Sequence, residues 1–125
     1  MNGQTSKGLR IVILVYAIYS MVYGLVHVVS PQLVGAVDPA IERVLGAAVL
    51  AFALGAFLAY REKAWEKARL VVLMQFIWML LYTVTMAWGL LAGTIIPAAW
   101  PPTIIGAIFA ALLGIFYKRQ LKINK

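Results

Sequence analysis

Leu70–Ala92 reads LVVLMQFIWMLLYTVTMAWGLLA, without a charge and with one amide, Gln75. A bilayer core takes about 20 predominantly apolar helical residues, so this stretch predicts a membrane-spanning helix. Three further runs accompany it: Ile11–Val29, Val44–Tyr60 and Pro102–Tyr117. The second and fourth runs in chain order are short and need flanking residues to span. All four acidic residues, Asp38, Glu42, Glu62 and Glu66, fall between the runs. The expectation is an all-α polytopic membrane protein: a four-transmembrane-helix bundle occupying residues 1–125 as one domain.

Composition agrees. The chain is 64% hydrophobic with a mean hydropathy of +0.93, against about 45–50% apolar residues in a soluble domain. The net charge of +7 does not predict a nucleic-acid partner, because the basic residues cluster by loop. Lys7 and Arg10 precede the first run. Arg61, Lys63, Lys67 and Arg69 lie between the second and third. Lys118, Arg119, Lys122 and Lys125 follow the fourth, and the remaining loops hold only Arg43. Short cytoplasmic loops carry the Lys/Arg excess, so both termini and the middle loop are expected in the cytoplasm. The basic rim is expected against anionic lipid headgroups, and the plasma membrane is the expected location. No cysteine is present, which excludes thiolate metal sites, disulfide exchange and a cysteine nucleophile. The first run exceeds the 7–15 residues of a signal-peptide core, and Val34-Gly35-Ala36 is a poor cleavage site, so it is read as a retained helix.

Local signals set the boundaries. Residues 1–8 are polar, with two glycines, and are expected to fray. Ser30-Pro31 closes the first helix. Asp38-Pro39 has the form of an N-cap followed by proline at the first helical position. Arg61–Arg69 fits either a charged helical elbow or a solvated turn. Pro97, Pro101 and Pro102 stiffen the second outer loop, and Trp65 and Trp100 suit the two membrane interfaces. A trace of duplication links Tyr23-Gly24-Leu25 to Trp88-Gly89-Leu90, and Leu45-Gly46-Ala47 to Ile105-Gly106-Ala107.

Two kinds of helix face stand out. Ala47, Ala51, Gly55 and Ala59 in the second helix form a small-residue ladder, as do Gly106, Ala110 and Gly114 in the fourth. Such ladders let backbones approach closely in lipid, as internal contacts or as a homodimer seam. The first helix instead carries Tyr16, Tyr19, Tyr23 and His27 on one face, with Ser20 beside them. The third carries Gln75, Trp78, Tyr82 and Met86. Counted from Arg10 and Arg69, Tyr16 is level with Gln75, Tyr19 with Trp78, Tyr23 with Tyr82 and His27 with Met86. These eight residues are the candidate ligand-binding set. They form either a hydrogen-bonded seam or the wall of a pocket for a lipid-like or quinone-like molecule. His27 is the only side chain within the runs that titrates near neutral pH, which makes it a functional candidate. No cofactor or metal is implied, and Ser20 and His27 lack the third partner of a hydrolytic triad.

Arg43–Gly55 reads RVLGAAVLAFALG. An arginine at the mouth of the second helix, glycines along it, and Pro31 after the first helix resemble the DoxX-like small four-helix membrane proteins. That resemblance implies a four-helix membrane fold, an association with respiratory or quinone-linked complexes, and Arg43 as a structural anchor. Small multidrug exporters are less similar, because their acidic residue in the first helix has no counterpart here. The pore signatures of small fluoride channels are likewise missing. Two functions are therefore expected from the chain: an accessory or ligand-binding membrane protein, or a small dimeric transporter or channel. An enzyme is the least supported.

Overall fold

A computed structural model of the chain describes residues 3–34 and 38–124; Gly35 and Ala36 of the weak cleavage motif, and Lys125 of the basic cluster, lie outside them. Four α-helices dominate: α1 (Lys7–Val29), α2 (Pro39–Arg61), α3 (Trp65–Leu91) and α4 (Trp100–Ile123). Short 3-10 turns at Pro31–Val34 and Pro97–Ala99 precede α2 and α4. Each long helical stretch is long and apolar enough to cross a bilayer.

The helices outrun the apolar stretches because polar groups cap them. Ser6 Oγ accepts from Leu9 N and starts α1. Asp38 Oδ1 accepts from Ala40 N at 2.9 Å and Ile41 N at 3.3 Å, with Pro39 opening α2 as the sequence predicts. α2 breaks at Glu62, whose Oε1 accepts from Ala64 N at 3.2 Å, and α3 starts afresh at Trp65. The middle link is thus a turn and not a continuous elbow. Gly93, with φ +71°, ends α3 in the left-handed region that glycine occupies without penalty.

Consecutive helices pack antiparallel, α1 mainly on α2 and α3 mainly on α4. α1 and α3 are diagonal neighbours. The first hairpin is backbone to backbone: a Cβ on Gly46 would lie 2.8 Å from Gly24 O, and one on Gly24 would lie 3.0 Å from Gly46 O. The second hairpin seats rings on glycines instead. Gly106 meets the Tyr82 ring and Thr83, and Gly114 meets the Phe76 ring. Gly89, the counterpart of Gly24 in the sequence, receives Ile95 from the following loop. The sequence echo between the hairpins therefore does not repeat as a packing motif.

The apolar core lies towards the basic end, built from Leu9, Ile13 and Tyr16 of α1, Ala56 and Ala59 of α2, Val72 of α3, and Phe109 and Leu113 of α4. Large apolar side chains also cover the outside, from Ile18, Leu58 and Leu81 to Trp88, which is 76% exposed.

The expectation of a frayed N-terminus fails for residues 3–8. Gly3–Ser6 crosses the basic end as a strap. Thr5 N donates to Lys63 O at 2.9 Å, and Trp65 N donates to Gly3 O, which satisfies an orphan donor at the start of α3. Gln120, fully buried, holds the strap from α4: its Oε1 accepts from Ser6 N at 2.8 Å and its Nε2 donates to Gln4 O at 2.7 Å. Polar composition alone predicts fraying; it does not register that a glutamine 116 residues away supplies matching donor and acceptor groups.

Candidate functional site

The two polar-aromatic stripes meet at one level. Tyr23 and Tyr82 hydroxyls lie 3.3 Å apart across the bundle diagonal, as counting along the helices predicts. Tyr19 stacks on Tyr23 with ring centroids 5.8 Å apart. Tyr19, Tyr23, Trp78 and Tyr82 line an interior cavity with Ser20 and Met79. Its volume is about 20 Å³, room for one water and too little for a ring, since a water needs about 10–15 Å³.

The other four candidates go elsewhere. Tyr16 is buried edge-on against Phe109 of α4, centroids 5.3 Å apart, and its hydroxyl has no partner among the described residues. Met86 is half-buried. Gln75 turns to α2, where its Nε2 donates to Phe52 O at 2.8 Å; this fixes the amide orientation and leaves Oε1 buried without a partner among the described residues.

His27 turns from α3 towards α2. It is 3% exposed, and Nδ1 lies 2.9 Å from the Tyr23 carbonyl oxygen. A carbonyl only accepts, so Nδ1 carries a proton. Nε2 then faces Glu42 Oε2 at 3.5 Å. The Tyr23 ring lies beside the imidazole at 4.1 Å. Glu42, absent from the sequence-based set, belongs to this cluster because α2 begins at Pro39 and carries it on its first turn. The signal for it is Asp38-Pro39, which moves the helix start five residues ahead of the apolar run. Arg43 is exposed beside it.

A second concavity lies outside the bundle between α2 and α3, which touch each other far less than either hairpin's own helices do. Ala51, Phe52 and Gly55 of α2 and Val71, Met74 and Gln75 of α3 line a groove of about 280 Å³. Gly55 adds no side chain to its floor, and a Cβ there would be in ordinary contact with Gln75 Nε2 at 3.6 Å and Val71 Cγ1 at 3.7 Å. Phe52 and Trp78 stack at its end, centroids 4.8 Å apart. The α2 ladder is thereby divided: Ala59 is buried in the core, Ala47 and Ala51 face outward, and Gly55 lies between. On α4, Gly106 and Ala110 are buried, and Gly106 and Gly114 take α3 side chains, so that ladder is an internal contact.

No group of three or more metal-ligating side chains occurs among the described residues. No family model matches the chain, and neither a curated protein nor a solved structure is significantly similar to it.

Proposed function

We propose that this chain is a small integral membrane protein that holds a lipid-like molecule, and that the holding site is the groove between α2 and α3. The observation that carries the reading is the groove itself. At about 280 Å³ it approaches the about 300 Å³ at which ligand pockets begin, whereas the tyrosine cavity admits a water at most. It opens through a wall of exposed apolar side chains, where the surrounding medium would be lipid. Gln75 is the one polar group among its lining residues. The tyrosines of the inner seam then serve as interhelical hydrogen-bonding and stacking groups. Native mass spectrometry of protein released from mild detergent tests this. The expected result is a reproducible small-molecule adduct, lost in Gly55→Leu. An adduct indifferent to Gly55→Leu and Ala51→Leu would place the ligand elsewhere.

A second reading, a small dimeric transporter or channel, is favoured by the His27–Glu42 pair. A buried imidazole whose Nε2 lies 3.5 Å from the Glu42 carboxylate is an ionisable pair of the kind that marks ion pathways in membrane bundles. Flux in proteoliposomes that persists in both His27→Ala and Glu42→Gln would remove this reading.

A further inference from the structure

We propose that the occupant of the groove is an anionic phospholipid, with its phosphate at Lys67 and one acyl chain between α2 and α3. This rests on the lipid-holding reading above and adds the headgroup. Lys67, Val71 and Met74 stand at i, i+4 and i+7, one face of α3, and Val71 and Met74 line the groove. Lys67 therefore sits above the groove's basic-end mouth. Four residues of helix separate it from Val71, about 6 Å of rise. The headgroup layer of a leaflet is about 5–8 Å deep, half the difference between a core of about 30 Å and a bilayer of about 40–45 Å. When Val71 lies at the edge of the hydrocarbon, Lys67 lies among phosphates.

The charge around the mouth fits an anion. The Lys67 side chain is 73% exposed, and among the described residues its one ion pair is a loose one, to Glu62 Oε2 at 3.9 Å. The other Glu62 oxygen accepts from Ala64 N. Around this turn stand Arg61, Lys63, Lys67 and Arg69 against Glu62 and Glu66, four positive charges less two negative, a surplus of two. At the opposite end, Arg43 stands against Asp38 and Glu42, a deficit of one. The lining favours a hydrocarbon chain over a quinone ring. A ring with two carbonyl acceptors needs two donors, and the one amide on the wall, with one N–H on Phe52 O, has a single N–H left.

The test is native mass spectrometry of the full chain from mixed vesicles of phosphatidylglycerol and phosphatidylcholine with identical acyl chains. The expected result is retained phosphatidylglycerol. Its preference over phosphatidylcholine should fall about fivefold in Lys67→Gln, the effect of one basic group near an anionic surface. Lys118→Gln, an equal charge change on exposed α4, should leave it unchanged. Gly55→Leu and Ala51→Leu should lose both lipids. Equal retention of the two lipids, or equal effects of Lys67→Gln and Lys118→Gln, overturns the headgroup assignment and leaves the groove reading standing. Lipid retention unaffected by both filling variants overturns the groove reading itself. A lipid-free dimer dissociated by Gly55→Leu assigns the groove to a second copy and overturns both.

Discussion

At the scale of single residues, the contacts with most consequence are polar ones inside an apolar bundle. Tyr23 and Tyr82 join the diagonal pair of helices by one hydroxyl contact. A double-mutant cycle of Tyr23→Phe and Tyr82→Phe should give a coupling of about 0.6 kcal/mol and no more than about 1.7, the range of interhelical bonds in membranes. Strict additivity of the unfolding free energies in detergent would show that the hydroxyls do not interact. Gln120→Leu should cost more, about 1–3 kcal/mol, because it strands Ser6 N–H and Gln4 C=O. Amide hydrogen exchange at Ser6 should speed up along with the loss. The Tyr23–Tyr82 contact is legible in the sequence, because helical rise converts residue counts into depth. The destinations of Gln75 and His27 are not. Depth says nothing of azimuth, and both side chains rotate away from the diagonal to meet α2, where Phe52 O and Glu42 offer complementary groups.

At the scale of elements, glycine separates tight seams from loose ones. Gly46→Ala places a methyl 2.8 Å from the α1 backbone and should lower the melting temperature sharply. Gly55→Ala meets nothing nearer than 3.6 Å. It should be neutral or stabilising by up to about 1 kcal/mol, the difference between Gly and Ala in helix propensity. If both variants melt alike, the two glycines do not occupy different environments. The existence of all four helices follows from hydropathy alone. Their true starts follow from Asp38-Pro39 in one case and not in another, since α3 has no side chain capping it and takes the Gly3 carbonyl from the strap. The spacing of four along α2 correctly marks a face of small residues. It cannot say that the buried stripe, Gly46, Val49, Ala53, Ala56 and Ala59, lies beside that ladder and shares only Ala59 with it.

At the scale of the whole molecule, the charge asymmetry makes the expected orientation testable. The chain contains no cysteine, so single cysteines report without background. In intact cells, Ala98→Cys in the exposed α3–α4 loop should react with a membrane-impermeant maleimide, and Lys67→Cys should react only after permeabilisation. The reverse pattern would turn the bundle over and put the basic rim outside. The strap has a further consequence, in the order of events during synthesis. Residues 4 and 6 are made well before the glutamine that holds them, which is at position 120. The basic end therefore stays unfinished until α4 has been made and packed against the other helices. A nascent chain stalled before that point leaves Gly3–Ser6 without the Gln120 contacts, and one that has passed it can form them. Protease sensitivity of the strap thus becomes a clock for the docking of α4.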